Sequence, residues 1–295
     1  MKKIICLLMS LSLVAFASCS DDDRDTPSNA SSTQTENGGS GDNSGNNGGG
    51  NSGSQSAVTV FKSGTENGHD YVDLGLTSGT KWATCNVGAS NPEEFGNYYA
   101  WGETTTKEIY SWSTYKYGSD FELTKYCSAS LYGKDGFTDS KATLDPSDDA
   151  AYVNWGGKWR MPTYEQLGEL RNECYWVWTE SYNNSNVKGY IVYKAKASSY
   201  KGVTEYSSGS LSSSYSLSDV HIFLPAAGYR GDGVLDVAEL NGHYWSSSLT
   251  VSSPAGVVDQ PNDAWYIFFF ESSYVGRSNG NRYFGLSVRA VIPGE

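Results

Sequence analysis

Histidine is scarce. His69, His221 and His243 are the only three in 295 residues, and none stands in the His-x-His or His-Glu-x-x-His spacing from which catalytic metal centres are built. On that count neither a resident metal nor a cofactor is expected. No G-x-S-x-G elbow and no G-x-x-x-x-G-K-[ST] loop occurs, so acyl-transfer and nucleotide chemistry lack their anchors. Of five cysteines, only Cys85, Cys127 and Cys174 lie beyond residue 56. They allow one disulfide with a thiol left over, or buried thiols behaving as small hydrophobes. Positive charge is also short: 21 Lys and Arg against 33 Asp and Glu give a net charge of −12. A phosphate backbone calls for clustered cations, so nucleic acid is not an expected partner. The longest apolar run, residues 4–17, falls below the ~20 residues a helix needs to cross a bilayer core.

That run follows Lys2 and Lys3 and ends Ala17-Ser18-Cys19, a basic start, an apolar stretch and small residues before a cysteine. It resembles the signal peptide of a bacterial lipoprotein, an ordinary secretory peptide cut nearby being the alternative. Ser20-Asp21-Asp22-Asp23 resembles the acidic signal that sends Bacteroides-type lipoproteins to the outer face of the outer membrane. The likeness implies a signal peptide over 1–18 and acylation of Cys19. It also implies a surface-exposed outer-membrane lipoprotein, touching the membrane only through its lipid. Residues 20–56 are Ser, Asn, Gly, Asp and Thr with no aromatic side chain, too polar to offset chain entropy by burial. Segment 19–56 is therefore expected to be a lipidated linker, with a reach of roughly 30–35 Å as a Gly/Ser coil.

Residues 57–295 have no second Gly/Ser/Pro-rich break and read as one domain. Six of the acidic and three of the basic residues precede it, leaving 27 against 18. All 9 Trp and 22 Tyr lie in it, more than a core of this size needs, and both suit half-wet surfaces. Its pivot is the stretch 153–174. Asn154-Trp155-Gly156-Gly157 is a stop, residues 158–161 a short strand closed by Pro162, and Thr163 with Gln166 a capping box. Leu167, Leu170 and Cys174 then mark one face of a helix about three turns long. Asp145-Pro146 starts an earlier short helix to about Asn154, with Asp145 as cap and Ala151 and Val153 buried.

Residues 71–74 and 81–85 predict a hairpin, and 98–103 a third strand. Residues 104–144 predict long ordered loops and 201–219 a mobile one. Further strands are expected at 187–196, 221–225, 263–270 and 285–292. The run 263–270 is apolar on both alternating faces and is expected to be covered on both sides. The class is α+β.

The motifs at 69–89 (HDYVDLGLTSGTKWATCNVGA), 98–103, 155–163 (WGGKWRMPT), 223–230 (FLPAAGYR), 244–248 and 285–291 together resemble the Fibrobacter succinogenes major paralogous domain, found in lipoproteins of Bacteroides relatives. Residues 159–170 also look like the helix entry of formylglycine-generating enzymes. Those enzymes share the C-type-lectin-like fold, so the resemblance implies two short helices on a small twisted mixed sheet with long ordered loops. Their copper-holding cysteine pair near the C-terminus has no counterpart here, Cys174 being the last cysteine. The iron-dependent relatives need three suitably placed histidines, also missing. An oxidase of that type is thus the least expected function, and no enzyme activity is expected.

The expected function is a non-catalytic binding module for a glycan or a surface protein, the alternative being a structural or adhesive subunit of a pilus or envelope assembly. The candidate ligand-binding residues flank the last strands: Asn241, His243, Tyr244, Trp245, Asp263, Trp265, Arg277, Asn279, Asn281 and Tyr283. Aromatic rings would stack on a ligand while Asn, Asp and Arg bond to hydroxyls. Tyr244, Trp245 and Trp265 have a competing assignment to the core, preferred for Trp265 inside its apolar strand. Gln260-Pro261-Asn262-Asp263 resembles a calcium-linked sugar motif but lacks a Trp-Asn-Asp partner, and Arg230-Gly231-Asp232 matches an integrin-type tripeptide. Both read as turns. Arg160 and Arg289 are expected to be structural and paired with carboxylates such as Glu165 or Glu169.

Overall fold

Thr163 caps its helix as the spacing predicts. Its hydroxyl accepts from Gln166 N at 3.3 Å while Gln166 Oε1 takes the Thr163 N–H at 2.9 Å. In the computed structural model, which describes residues 61–294 apart from 140, 207–213, 251–259 and 272–273, that helix is α2 (Tyr164–Glu173), with Leu167 and Leu170 buried. The expected signal peptide, Cys19 and linker lie outside the described residues, as does the centre of the 201–219 loop. Thr163→Ala removes the cap acceptor and should lower stability by about 1 kcal/mol, a melting shift of ~2–4 °C for a domain this size. Thermal unfolding checks this, and an unshifted midpoint would refute it.

The first described strands are β1 (Gly64–Glu66), β2 (His69–Val72) and β3 (Lys81–Ala83), the last two forming the expected hairpin. The third strand is only β4 (Tyr98–Tyr99). Helix α1 (Ala150–Trp155) is capped by Asp149, not Asp145, and residues Pro146–Asp148 form a separate 3-10 turn. Val153 is 49 % exposed where burial was expected. Residues 158–161 make a single bridge, Arg160 to Val291, instead of a strand. The next amide, Met161 N–H, is taken by the Asp149 carboxylate at 2.8 and 3.1 Å, so the ladder cannot continue.

Cys174 opens a strand the sequence reading missed, β5 (Cys174–Thr179), which follows α2 with no loop between them. Strands β6 (Gly189–Lys194), β7 (Thr204–Tyr206) and β8 (His221–Pro225) complete its sheet in the order β7-β5-β6-β8. A tight hairpin of β9 (Tyr229–Gly231) and β10 (Val234–Asp236) turns on Asp232 and Gly233, both with positive φ (49° and 82°). That is the Asp-Gly hairpin turn, which absorbs the Arg-Gly-Asp match. Then come β11 (Asn241–Leu249), β12 (Asp263–Phe270) and β13 (Tyr274–Asn281). Two short strands close the chain, β14 (Leu286–Ser287) and β15 (Val291–Ile292), where one strand was expected. The break falls where the Val288 and Ala290 carbonyls accept from Val87 N and Ala83 N. The last sheet runs β13-β12-β11-β14-β4, and β15 joins β1-β2-β3.

With two α-helices and several small sheets among the described residues, the class is α+β. One face of β11–β13 packs Tyr244, Ile267, Phe269 and Val275 against Leu167 and Leu170 of α2. The opposite face, near Trp245, meets Tyr99, Trp101, Tyr115 and Tyr126. The 104–144 segment is held by buried polar anchors. Asp148 accepts from Lys116 (3.1 Å), Lys125 (2.6 Å) and Tyr126 OH (2.7 Å). The buried Arg282 donates to Tyr115 OH and to the carbonyls of Lys125, Tyr126 and Pro261.

Two expectations need correction, and one open alternative, that of the cysteines, is decided. Among the described residues neither Arg289 nor Arg160 forms an ion pair with Glu165 or Glu169: Arg289 is buried among carbonyls and an Asn86 oxygen, while Arg160 bonds its neighbours' carbonyls and stacks on Tyr152 at 4.1 Å. Glu169 is instead bonded to Ser78. Strand β12 is central but neither face is fully covered: Tyr266, Phe268 and Phe270 on one face, and Asp263 and Trp265 on the other, are half-exposed. The three cysteines are all free thiols, Cys127 and Cys174 buried and Cys85 half-buried, so no bridge joins them.

Candidate functional site

Pairing fixes which of the ten candidate residues can act together. His243 lies opposite Phe268, which lies opposite Gly276, while Trp265 lies opposite Asn279. Opposed residues share a face and successive ones alternate. Asn241 and His243 therefore lie on one face of the sheet, and Asp263, Trp265, Arg277, Asn279 and Asn281 on the other. Tyr244 and Trp245 belong to the core, 1 % and 0 % exposed, with Tyr244 OH donating to Pro225 O and Trp245 Nε1 to Tyr99 O. Trp265, for which the core was preferred, is half-buried at 4.6 Å from the Tyr164 ring. Tyr283 sits just past β13, 5.1 Å from Trp112. The ten do not form one site.

The patch on the α2 side is largely satisfied from within. The Arg277 guanidinium stacks 3.9 Å over Tyr164 and donates to its carbonyl at 3.1 Å. Asn279 Nδ2 donates to Asp263 Oδ2 at 2.9 Å. Gly168 makes room for this, because a Cβ there would lie 2.5 Å from Arg277 Nη1. The Arg277 contacts fasten the helix to the sheet, and the Asn279–Asp263 bond ties β13 to β12. Asn262, within the sugar-motif match, donates to Asp120 at 2.6 Å as part of a turn.

The other face, away from Trp245, is half-exposed and aromatic. Along it Phe270, Tyr274, Phe268 and His243 follow one another at ring-centroid steps of 5.3, 5.3 and 6.1 Å. The line continues through Tyr229, Phe284 and Tyr283 to Trp112, at 5.2, 5.3, 4.6 and 5.1 Å. Every ring in it is half-buried except Tyr274, which is 46 % exposed. Near its middle is a cavity of about 220 Å³ lined by Tyr229, His243, Tyr266, Phe284 and Leu286. His243 Nδ1 is enclosed and has no hydrogen-bond partner. Burial lowers the His243 pKa to about 4, against an upward pull from Asp236, so the ring is neutral at physiological pH. Tyr229 OH donates to Asp236 at 3.2 Å.

Of this line the sequence reading named only His243 and Tyr283. The signal for Phe268 and Phe270 was the alternation of aromatic rings in 266–270, discounted because both faces of that strand looked covered. Trp112 stands in a loop without periodicity and gave no signal.

Among the described residues no group of three His, Cys, Asp or Glu side chains could hold a metal ion, and no helix is long and apolar enough to cross a membrane. Burial pushes the Cys85 and Cys174 thiols up, away from thiolate reactivity. No family model, curated protein or solved structure matches the chain.

Proposed function

We propose that the chain is a non-catalytic glycan-binding module, held at the cell surface by acylated Cys19 and using the aromatic face of β11–β13. The observation that carries this reading is the half-exposed line of rings, with a cavity of about 220 Å³ near its middle lined by Tyr229, His243, Tyr266, Phe284 and Leu286. Aromatic rings take the apolar face of a sugar, and tyrosine hydroxyls at their rims bond to its hydroxyls. Two helices, small sheets and long ordered loops support a C-type-lectin-like scaffold for it. The basic-apolar-cysteine start and the acidic run after Cys19 support an outer-membrane lipoprotein facing outwards.

The test is a glycan array probed with the full chain, beside pull-down from surface extracts and protease shaving of intact cells. Selective retention of glycans, weakened by Tyr229→Ala, is the expected result. Silence across the array together with a stoichiometric co-purifying protein would overturn the reading in favour of a structural or adhesive subunit.

A further inference from the structure

We infer that a second copy of the chain docks on the free edge of β13, extending the sheet across a two-fold axis at Ser278. Strand β13 ends its sheet, with β12 on one side and no strand on the other. It pairs with β12 one residue to one at every position, from Phe270–Tyr274 to Asp263–Asn281, without a bulge. It holds no Lys and no Pro, residues that commonly blunt such an edge. Its one cation, Arg277, is drawn aside onto Tyr164. The other edge strands among the described residues have two to five residues, and the longest of them, β8, is wholly buried and ends in Pro225.

Hydrogen bonding fixes which backbone groups this edge presents. Asp263 O accepts from Thr250 N on the β11 side at 3.1 Å, so Asn281, paired with Asp263, turns its own groups away from β12. Alternation then turns those of Val275, Arg277 and Asn279 outward as well. Two of the outward carbonyls are taken, Val275 O by Arg171 Nε at 2.7 Å and Asn281 O by Phe284 N at 3.0 Å. Between them, Arg277 and Asn279 each offer an N–H and a C=O that meet no partner among the described residues. Donors and acceptors alternating at strand spacing are matched by another extended backbone.

The free groups are symmetric about Ser278, and that symmetry selects the occupant. Two copies related by a two-fold axis there run antiparallel, with Arg277 of each opposite Asn279 of the other. Both pairs exchange two hydrogen bonds, which uses every free group between the two occupied carbonyls. Gly276 then lies opposite Gly280 and Ser278 opposite itself, so no bulky side chain crowds the seam on that side. Moving the axis to residue 277 would set Arg277 against Arg277, like charge directly opposed. Moving it to 279 would set each Arg277 against Asn281, whose carbonyl already serves Phe284. An extended segment of another protein would need no such symmetry. The axis stands perpendicular to the sheet, so the ring-bearing faces of both copies lie on the same side.

Sedimentation of the full chain tests this, with Cys19→Ser in every sample so that acyl chains do not drive association. A dimer in equilibrium with monomer is the expected species. Ser278→Lys and Ser278→Asp should each raise the dimer dissociation constant by about tenfold or more, because like charges then face each other across the axis. Mixing the two should restore a heterodimer, which requires residue 278 of one copy to oppose residue 278 of the other. Asn279→Pro deletes an outward N–H and leaves the β12 ladder whole, so it should also disrupt the dimer, while Asn279→Ala should not. Thermal unfolding of each variant separates lost pairing from lost folding. A chain that is monomeric at every concentration would overturn the inference. So would a dimer indifferent to Ser278→Lys, which would place the contact elsewhere. A monomer that holds a segment of another protein, released by Asn279→Pro, would assign the edge to that partner instead. Glycan binding by a strictly monomeric chain would defeat this inference and leave the glycan reading standing.

Discussion

Arg289→Met should destabilise the domain by about 3–5 kcal/mol, the range for removing one partner from a buried charged network. The guanidinium is 1 % exposed and has no carboxylate beside it. Its Nε donates to Asn86 Oδ1 at 2.9 Å, its Nη1 to the carbonyls of Ala83 (3.1 Å) and Thr84 (3.0 Å), and its Nη2 to Phe223 O at 2.8 Å. One side chain thus joins β3 and the loop after it to β8, two sheets that share no strand. Burial pushes its pKa down from the ordinary arginine value, which marks the charge as poorly solvated. Methionine fills the volume but donates nothing, leaving four enclosed oxygens unpaired at ~1–3 kcal/mol each before relaxation. Against a typical total of ~5–15 kcal/mol, that is a large share. Urea unfolding measures it. Arg160→Met gives the contrast: that side chain is half-exposed and bonds only its neighbours' carbonyls, so its loss should fall below about 1 kcal/mol. If the two variants unfold at the same midpoint, Arg289 is not the clamp described.

The features read correctly from sequence are those decided within a few residues. The Thr163–Gln166 box, the β2–β3 hairpin and the Asp232-Gly233 turn each depend on local donors, acceptors and φ, and each formed. What went astray depends on distant partners. Asp145 looked like the better cap, yet Asp149 took the role because its carboxylate also receives Met161 N–H from twelve residues on. Residues 263–270 looked doubly covered because apolar character does not say what lies above a face. The candidate site suffered from the same limit. Tyr244 and Trp265 occupy equivalent-looking apolar runs, but Tyr244 faces α2 at the sheet's centre and Trp265 the same helix near its exposed start. Choosing between the two faces of β11–β13 requires the strand register, which no one strand's sequence contains. The surplus of Tyr and Trp did announce half-wet rings; it could not say which ones.

Stability should fall as pH drops from about 6.5 towards 4, before ordinary carboxylates titrate. All three histidines of the domain are held below the usual imidazole value, in each case mainly by burial. For His243 the folded value is about 4, with only Asp236 opposing the shift. His221 uses both nitrogens: Nδ1 lies 2.7 Å from Asp219 O and Nε2 2.8 Å from Tyr182 OH, an arrangement suited to a neutral ring accepting from the phenol. His69 stacks on Trp155 at 3.9 Å but is more exposed and should contribute little. The sign follows from proton uptake. A base depressed in the folded state is protonated first in the unfolded chain, so each pH step below ~6.5 favours unfolding, by up to ~1.4 kcal/mol per unit per group. For His243 the total approaches ~3 kcal/mol at pH 4 as an upper bound. Asp149 and Asp263 work against the trend near its lower end, because burial raises their carboxyls and their protonation favours the folded state. Asp148, held low by Lys125 and its other donors despite burial, loses its contribution only below ~3.8. Urea midpoints measured from pH 7.5 down to about 4.5 should therefore decline, and His243→Phe should flatten the decline by removing its largest source. An unchanged slope in that variant would show that His243 is protonated in the folded domain without penalty, contrary to its enclosed, unpartnered Nδ1.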